Sequence, residues 1–145
     1  MQFILSSAVA GIVGTAGMTL LLWAITKSNW ANADMVRALG SFLTRSYHSA
    51  LLPGIILKFA AGIPFGIIYI YVLKSIGVAS TASLVLGGGI IGIAHGFAFS
   101  FIMVILAEHH PVEKFQEASF EVAIAHFLAH VLYGVLVGLI YGLLS

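Results

Sequence analysis

Four long apolar segments constrain the fold of this chain more than any other feature of its sequence. They lie near residues 3–26, 51–73, 84–107 and 121–144. A hydrocarbon core of roughly 30 Å is crossed by about 20 helical residues, so each segment is long enough to span it. Backbone polar groups in lipid must bond within their own segment, and each is therefore expected to be a helix. The sequence predicts an all-α, integral membrane four-helix bundle with up-and-down topology, forming one transmembrane domain over residues 1–145.

The composition agrees with a membrane protein and excludes several classes of partner. Charged residues make up only 8% of the chain, whereas a soluble domain carries about a quarter. The net charge of +1 provides no basic patch to neutralise phosphates, so no nucleic acid partner is expected. The chain has no cysteines, which excludes disulfides and thiolate metal sites. The predicted partner is the lipid bilayer.

The connections between these segments predict an orientation. The first connection has the length and pattern for a short interfacial helix near residues 33–45, capped by Asn32 or Asp34. The first and third connections share one side of the membrane and carry most of the basic residues. Because basic loops favour the cytoplasm, we expect both connections inside and both chain termini outside.

The second and fourth segments align with each other at an offset of 72, the separation of Lys58 and His130. The aligned residues are Gly54, Lys58, Gly62, Gly66 and Tyr69 against His126, His130, Gly134, Gly138 and Tyr141. The first and third segments align less strongly. The alignment predicts a tandem repeat of two helical hairpins, related by a pseudo-two-fold axis along the membrane normal.

Rows of glycines at four-residue spacing run along the third and fourth segments. They include Gly92, Gly96 and Gly134. Such spacing places small residues on one helix face and lets two helices approach closely. The same face would also admit a flat ring, such as a porphyrin or a quinone head. The sequence leaves both interpretations open.

Four ionisable side chains lie inside the predicted spans: Lys58, His95, His126 and His130. An unsatisfied polar group in hydrocarbon costs several kcal/mol, so these side chains are expected to face the bundle interior. His95 and His130 lie at similar numbers of residues from the cytoplasmic ends of their segments, near mid-membrane at about 1.5 Å per residue. The long stem of Lys58 is expected to snorkel toward the cytoplasmic headgroups, the alternatives being a pair with an interior acid or a place on a cavity wall.

The histidines predict one of three chemistries, besides simple hydrogen bonds across the bundle. His95 and His130 are candidate axial ligands of a haem b, with the macrocycle admitted by the glycines. His95, His126 and His130 are alternatively a candidate zinc or copper site. A third possibility is a proton relay through neutral imidazoles. The glycines assigned to the cofactor site are Gly92, Gly96 and Gly134.

Glu108, His109 and His110 form a polar cluster at the end of the third span. Such groups suit either a divalent ion or a solvated loop. The chain contains no GxSxG, P-loop, HExxH or dinucleotide motif, so nothing in the sequence indicates an enzyme.

Four stretches carry a resemblance to known proteins: "GTAGMT", "DMVRALG", "AAGIPFGIIYIYVL" and "HVLYGVLVGLIYG". With these, the chain resembles a family of small four-span bacterial membrane proteins whose function is not established. The resemblance implies a multi-pass protein of the bacterial inner membrane. It also implies a histidine at the position of His130 and often another at that of Lys58, where this chain departs from the pattern.

These observations predict a small membrane protein that binds a haem or metal ion through intramembrane histidines. Its role would be electron transfer or membership of a redox membrane complex. One alternative is a cofactor-free accessory subunit, whose glycine faces contact other membrane subunits or a second copy. Another is a small carrier or a proton pathway.

Overall fold

The computed structural model describes residues 1–145, and all of its regular structure is helical. The helices are α1 (Gln2–Lys27), α2 (Met35–Thr44), α3 (Leu51–Ser75), α4 (Thr81–Glu108) and α5 (Phe120–Leu144), with a 3₁₀ turn at Glu113–Phe115. The four helices other than α2 are long and apolar enough to cross a membrane. The predicted all-α bundle is confirmed, and these helices identify a multi-pass membrane protein.

The long helices are arranged in the order α3, α1, α5, α4 around the bundle. Helix α1 packs against both α3 and α5, and α5 packs extensively against α4. Helices α3 and α4 complete the ring, but they contact each other far more sparsely. The bundle therefore has three well-packed seams, or interfaces between neighbouring long helices, and one loose seam, between α3 and α4.

Glycines bring the helix backbones together in the well-packed seams. A Cβ atom added at Gly88, Gly134 or Gly138 would collide with the backbone of the opposite helix in the α4–α5 pair. In the α1–α3 pair, a Cβ at Gly11 would lie 2.7 Å from the Gly62 carbonyl oxygen. Small residues at helical spacing thus serve close helix packing in both hairpins. The tandem repeat itself stays a prediction.

Helix α2 lies across the beginning of α3. The Asp34 side chain caps α2 by accepting a hydrogen bond of 3.1 Å from the Arg37 backbone N–H, as expected of an N-cap carboxylate. A Cβ at either Gly40 of α2 or Gly54 of α3 would collide with the other helix. Met35 is buried, whereas Phe42 is exposed, like Leu43. Helix α2 therefore covers the first turns of α3.

Serine caps fix where α4 and α5 begin. The Ser80 hydroxyl accepts from the Ser83 N–H at 3.2 Å, and the Ser119 hydroxyl accepts from the Val122 N–H at 3.4 Å. Both caps satisfy otherwise free helix N–H groups. The start of α5 places His126 and His130 on its buried face, one turn apart.

A candidate intramembrane binding site

A cavity of about 90 Å³ lies inside the bundle at the loose seam between α3 and α4. All five helices contribute to its wall. Its polar lining residues are Thr15, Lys58, His95, His130 and Tyr133. The side chains of Met18, Met35, Leu39, Phe65 and Phe99 supply much of its apolar lining. The cavity thus brings an amine and two imidazoles together within an apolar enclosure.

Lys58 does not snorkel, so that expectation from the sequence is wrong. Its side chain is 6% exposed, and its Nζ atom is buried without a hydrogen-bond partner. Lys58 lies seven residues after Leu51, about 10 Å along α3. Met35 and Leu39 of α2 line the same cavity as Lys58. Because α2 covers this end of α3, the lysine stem has no path to the headgroups, and the amine faces the interior.

The orientation of His130 is fixed by a backbone carbonyl on its own helix. Its Nδ1 atom lies 2.7 Å from the His126 carbonyl oxygen. A carbonyl oxygen only accepts hydrogen bonds, so Nδ1 carries the proton and donates it. The Nε2 atom of the neutral ring therefore keeps a free lone pair. Since His130 and Lys58 line the same cavity, this arrangement supplies it with an acceptor as well as an amine.

His95 and His130, which the sequence places at similar depth, are in direct contact. Their ring centroids are 4.7 Å apart at an interplanar angle of 62°. The Nδ1 atom of His95 also lies 2.8 Å from the hydroxyl of Tyr69. This hydrogen bond joins α4 to α3 across the loose seam. His95 is thus held between two helices, with its ring at the cavity wall.

The His95–His130 contact leaves no gap for a haem in this arrangement of helices. Two imidazoles on opposite faces of one iron have ring centroids roughly 6 Å apart, at about 2 Å per metal–nitrogen bond. The observed centroids are 4.7 Å apart, so a macrocycle between these rings requires α4 and α5 to separate. Haem binding stays a prediction that depends on such a movement.

The glycines assigned to the cofactor site face the neighbouring helix. A Cβ at Gly92 would lie 2.6 Å from the His130 carbonyl oxygen, and one at Gly96 would lie 2.9 Å from that of Phe127. A Cβ at Gly134 would collide with the Gly88 carbonyl oxygen. The space in front of all three glycines is therefore filled by α4–α5 packing.

His126 belongs to a second cavity rather than to the first. Its Nδ1 atom donates to the Val122 carbonyl oxygen at 2.8 Å, and its Nε2 atom is buried without a partner. It lines a neighbouring cavity of about 130 Å³ beneath α2. No three histidine, aspartate or glutamate side chains are arranged to hold one metal ion. The three histidines predicted as a zinc or copper site are not brought together.

The polar cluster after α4 is divided between solvent and the protein interior. Glu108 and His109 are exposed, whereas His110 is buried. The Nδ1 atom of His110 accepts from the Val112 N–H at 3.1 Å, and its Nε2 atom donates to the Ala38 carbonyl oxygen at 3.0 Å. Both ring nitrogens are occupied, so His110 fastens the connection to α2.

Three aromatic side chains complete the site without having been predicted as part of it. The Tyr133 hydroxyl donates to the Gly62 carbonyl oxygen at 2.6 Å, which ties α5 to α3 at the cavity. Tyr69 holds His95, and Phe65 packs on the same imidazole with a centroid distance of 4.7 Å. A partial signal was present, because Tyr69 lies at helical spacing from Lys58, on the buried face of α3.

Comparison of the chain with family models, with curated proteins and with solved structures gives no match. The resemblance to small four-span bacterial membrane proteins stays a prediction.

Proposed function

We propose that this membrane protein binds, within the bilayer, a small ligand whose polar group accepts hydrogen bonds from Lys58. The observation that carries the proposal is the Nζ atom of Lys58, which is buried, unpartnered and on the wall of a cavity. Ionisable residues inside membranes are costly and are normally paired or face a functional cavity. A bound acceptor would supply the partner that the protein does not.

The neighbours of Lys58 narrow the chemistry of this ligand. Lys58 offers N–H donors, whereas the Nε2 atom of His130 offers a lone pair. A carbonyl or carboxylate oxygen accepts from the amine, and an adjacent hydroxyl, if present, donates to the imidazole. A carbonyl-bearing or carboxylate-bearing molecule therefore satisfies both groups. A ligand of this kind also suits a subunit of a redox membrane complex.

Binding measurements on three probes test this proposal. Decylubiquinone, decanoate and acetate would be titrated into the protein in lipid nanodiscs, with Lys58→Met and Lys74→Met compared in parallel. Lys74 is exposed at the end of α3 and serves as the matched control. At least one probe is expected to bind, and Lys58→Met is expected to weaken it about tenfold or more, the effect of losing a charged hydrogen bond. Absence of binding by all three, or equal binding by Lys58→Met, would contradict the proposal.

A copper(I) ion is the second candidate. The hydrogen bond from His130 Nδ1 to a carbonyl leaves Nε2 free, as in many metal-ligating histidines. Met18 and Met35 line the same cavity, and thioether sulfur combined with imidazole favours copper(I). The charge of Lys58 opposes a bound cation, which makes this candidate secondary.

The two candidates respond oppositely to one substitution. Lys58→Met removes a positive charge, so it is expected to tighten copper(I) binding while weakening a ligand that needs the amine. Met18→Leu is expected to weaken copper(I) alone. Competition with a chromophoric copper(I) chelator measures both effects. Unchanged copper(I) affinity in both variants would remove this candidate.

A further inference from the structure

The four seams of the bundle differ in how they are sealed. In the α1–α3 and α4–α5 seams, a Cβ at glycines such as Gly11 and Gly92 would crowd the backbone of the neighbouring helix. In the α1–α5 seam Gly14 instead meets the Tyr133 and Val137 side chains, and these two helices contact each other extensively. The α3–α4 seam has only Gly87, which faces the flexible side chain of Leu73. Close backbone contact makes helix pairs stable in lipid. The α3–α4 seam is therefore the easiest one to open.

Two aromatic side chains of α3 close this seam at the level of the cavity. Phe65 is 41% exposed on the outer surface and lies against the His95 ring at 4.7 Å. Tyr69 contributes the single side-chain hydrogen bond between α3 and α4, to His95 at 2.8 Å. Neither contact involves the backbone, so side-chain rotation alone would widen the seam.

Helix α2 covers the cavity on another side. Helix α2 is fastened to α3 at Gly40 and Gly54, and its Met35 and Leu39 side chains form the wall on that side. A ligand arriving from the α2 side has to displace this helix. A ligand arriving between α3 and α4 has to displace only the Phe65 and Tyr69 side chains.

We propose that the ligand is a lipid-soluble planar carbonyl compound, a quinone-type head, that enters from the bilayer between α3 and α4 past Phe65. This inference rests on the proposed binding function of Lys58. The cavity of about 90 Å³ is smaller than such a head, so the α3–α4 seam has to widen to hold it. The loose seam selects molecules that partition into lipid, and the rings of Phe65, Phe99 and Tyr133 provide flat apolar walls. Lys58 donates to one oxygen of the head, and the His130 Nε2 atom accepts from a hydroxyl of the reduced form.

Exchange kinetics test the route. Stopped-flow quenching of tryptophan fluorescence by decylubiquinone would be recorded in nanodiscs for the wild type, Phe65→Ala and Phe101→Ala. Phe101 is exposed on α4 outside the cavity lining and is the matched control. Phe65→Ala is expected to raise both the association and dissociation rates about tenfold, with a smaller change in Kd, because a gate alters rates more than equilibrium. Phe101→Ala is expected to behave as the wild type.

A reversible cross-link gives a second measurement if Phe65→Ala proves unstable. Leu73 and Gly87 meet across the same seam, away from the cavity lining, and the chain has no native cysteine. The oxidised double variant Leu73→Cys/Gly87→Cys is expected to slow exchange about tenfold, and a reducing agent is expected to restore it.

Each outcome bears on one claim. Rates unchanged both by Phe65→Ala and by the oxidised cross-link would overturn the route. Binding of decanoate without decylubiquinone would overturn the quinone-type ligand while leaving the Lys58 site intact. Binding of neither probe, nor of acetate, would remove the proposed function itself.

Discussion

Buried polar side chains in this bundle fall into two kinds, according to whether the protein supplies their hydrogen-bond partners. His110 has both ring nitrogens occupied by backbone groups, and its effect is to hold a connection in place. Lys58 has a buried amine with no partner, and His126 has a buried Nε2 with none. An unsatisfied buried group costs about 1–3 kcal/mol, and for Lys58 the proposed ligand would remove this cost.

The cost of the unpartnered amine predicts that Lys58→Met stabilises the ligand-free protein. Methionine keeps the length of the stem and removes the polar group, so the free energy of unfolding is expected to rise by about 1–3 kcal/mol. Reversible unfolding in mixed detergent micelles measures the change. Lys74→Met, at an exposed position, is expected to stay within roughly 0.5 kcal/mol of the wild type. A clear loss of stability in Lys58→Met would show that the amine has a partner.

The residues of the site were predictable to different degrees. The similar depth of His95 and His130 follows from counting helical rises, and the two rings are in contact. For Lys58 the sequence favoured snorkelling over a cavity wall, and the choice depends on where α2 lies against α3. The pairing of Tyr69 with His95 depends on the relative rotation of α3 and α4, which periodicity within one helix does not determine.

Glycine placement decides which helices approach closely. In the α4–α5 pair, the backbone carbonyl oxygens of one helix occupy the space where a Cβ would extend from the other, at Gly88, Gly134 and Gly138. In the α3–α4 pair, no glycine of one helix faces the backbone of the other along the cavity. Glycines thus give close backbone contact in the α1–α3 and α4–α5 seams, whereas the α3–α4 seam depends on side chains.

Gly134→Ala is therefore expected to be much more damaging than Gly89→Ala. The added methyl at position 134 collides with the Gly88 carbonyl oxygen, whereas at position 89 the nearest atom is Val135 Cγ2 at 3.3 Å. Overpacking of this kind costs about 1–3 kcal/mol, while Gly89→Ala is expected to be near neutral. Unfolding of both variants measures the difference, and equal stability would show that α4 and α5 do not pack as described.

The four long helices were predictable from the sequence. Each apolar segment is long enough to cross the bilayer, and in lipid its backbone groups must form hydrogen bonds within the segment. The short helix near residues 33–45 was also predictable, and it forms at Met35–Thr44 with Asp34 as its cap. The order of packing was not, because glycines on every long helix offer several possible pairings. The position of α1 between α3 and α5 depends on which of these glycine faces meet, which the pattern within one helix does not determine.

For the whole molecule, the two long connections and α2 lie on one side of the bundle, and the α3–α4 turn and both chain ends lie on the other. The excess of basic residues in the long connections predicts that their side is cytoplasmic. The Lys58 cavity is covered from that side by α2, and between α3 and α4 by the Phe65 and Tyr69 side chains. Ligand exchange with the bilayer is therefore compatible with either orientation.

Single cysteines test the orientation, since the chain has none of its own. Glu113→Cys lies in the third connection and Ala79→Cys in the second, both at exposed positions. A membrane-impermeant maleimide applied to intact cells is expected to label Ala79→Cys alone, and both variants after the cells are permeabilised. Labelling of Glu113→Cys alone in intact cells would reverse the orientation.

The central claim is that the Lys58 amine lies in the interior and is completed by a ligand from the bilayer. Solid-state NMR of protein labelled with ¹⁵N at the lysine Nζ atoms tests it directly, because the chain has only Lys27, Lys58, Lys74 and Lys114. The signal lost in Lys58→Met identifies this amine. It is expected to show no exchange with water and to shift when decylubiquinone is added, while the other three signals stay in place. A Lys58 signal that exchanges with water like the others, and ignores the ligand, would contradict the account.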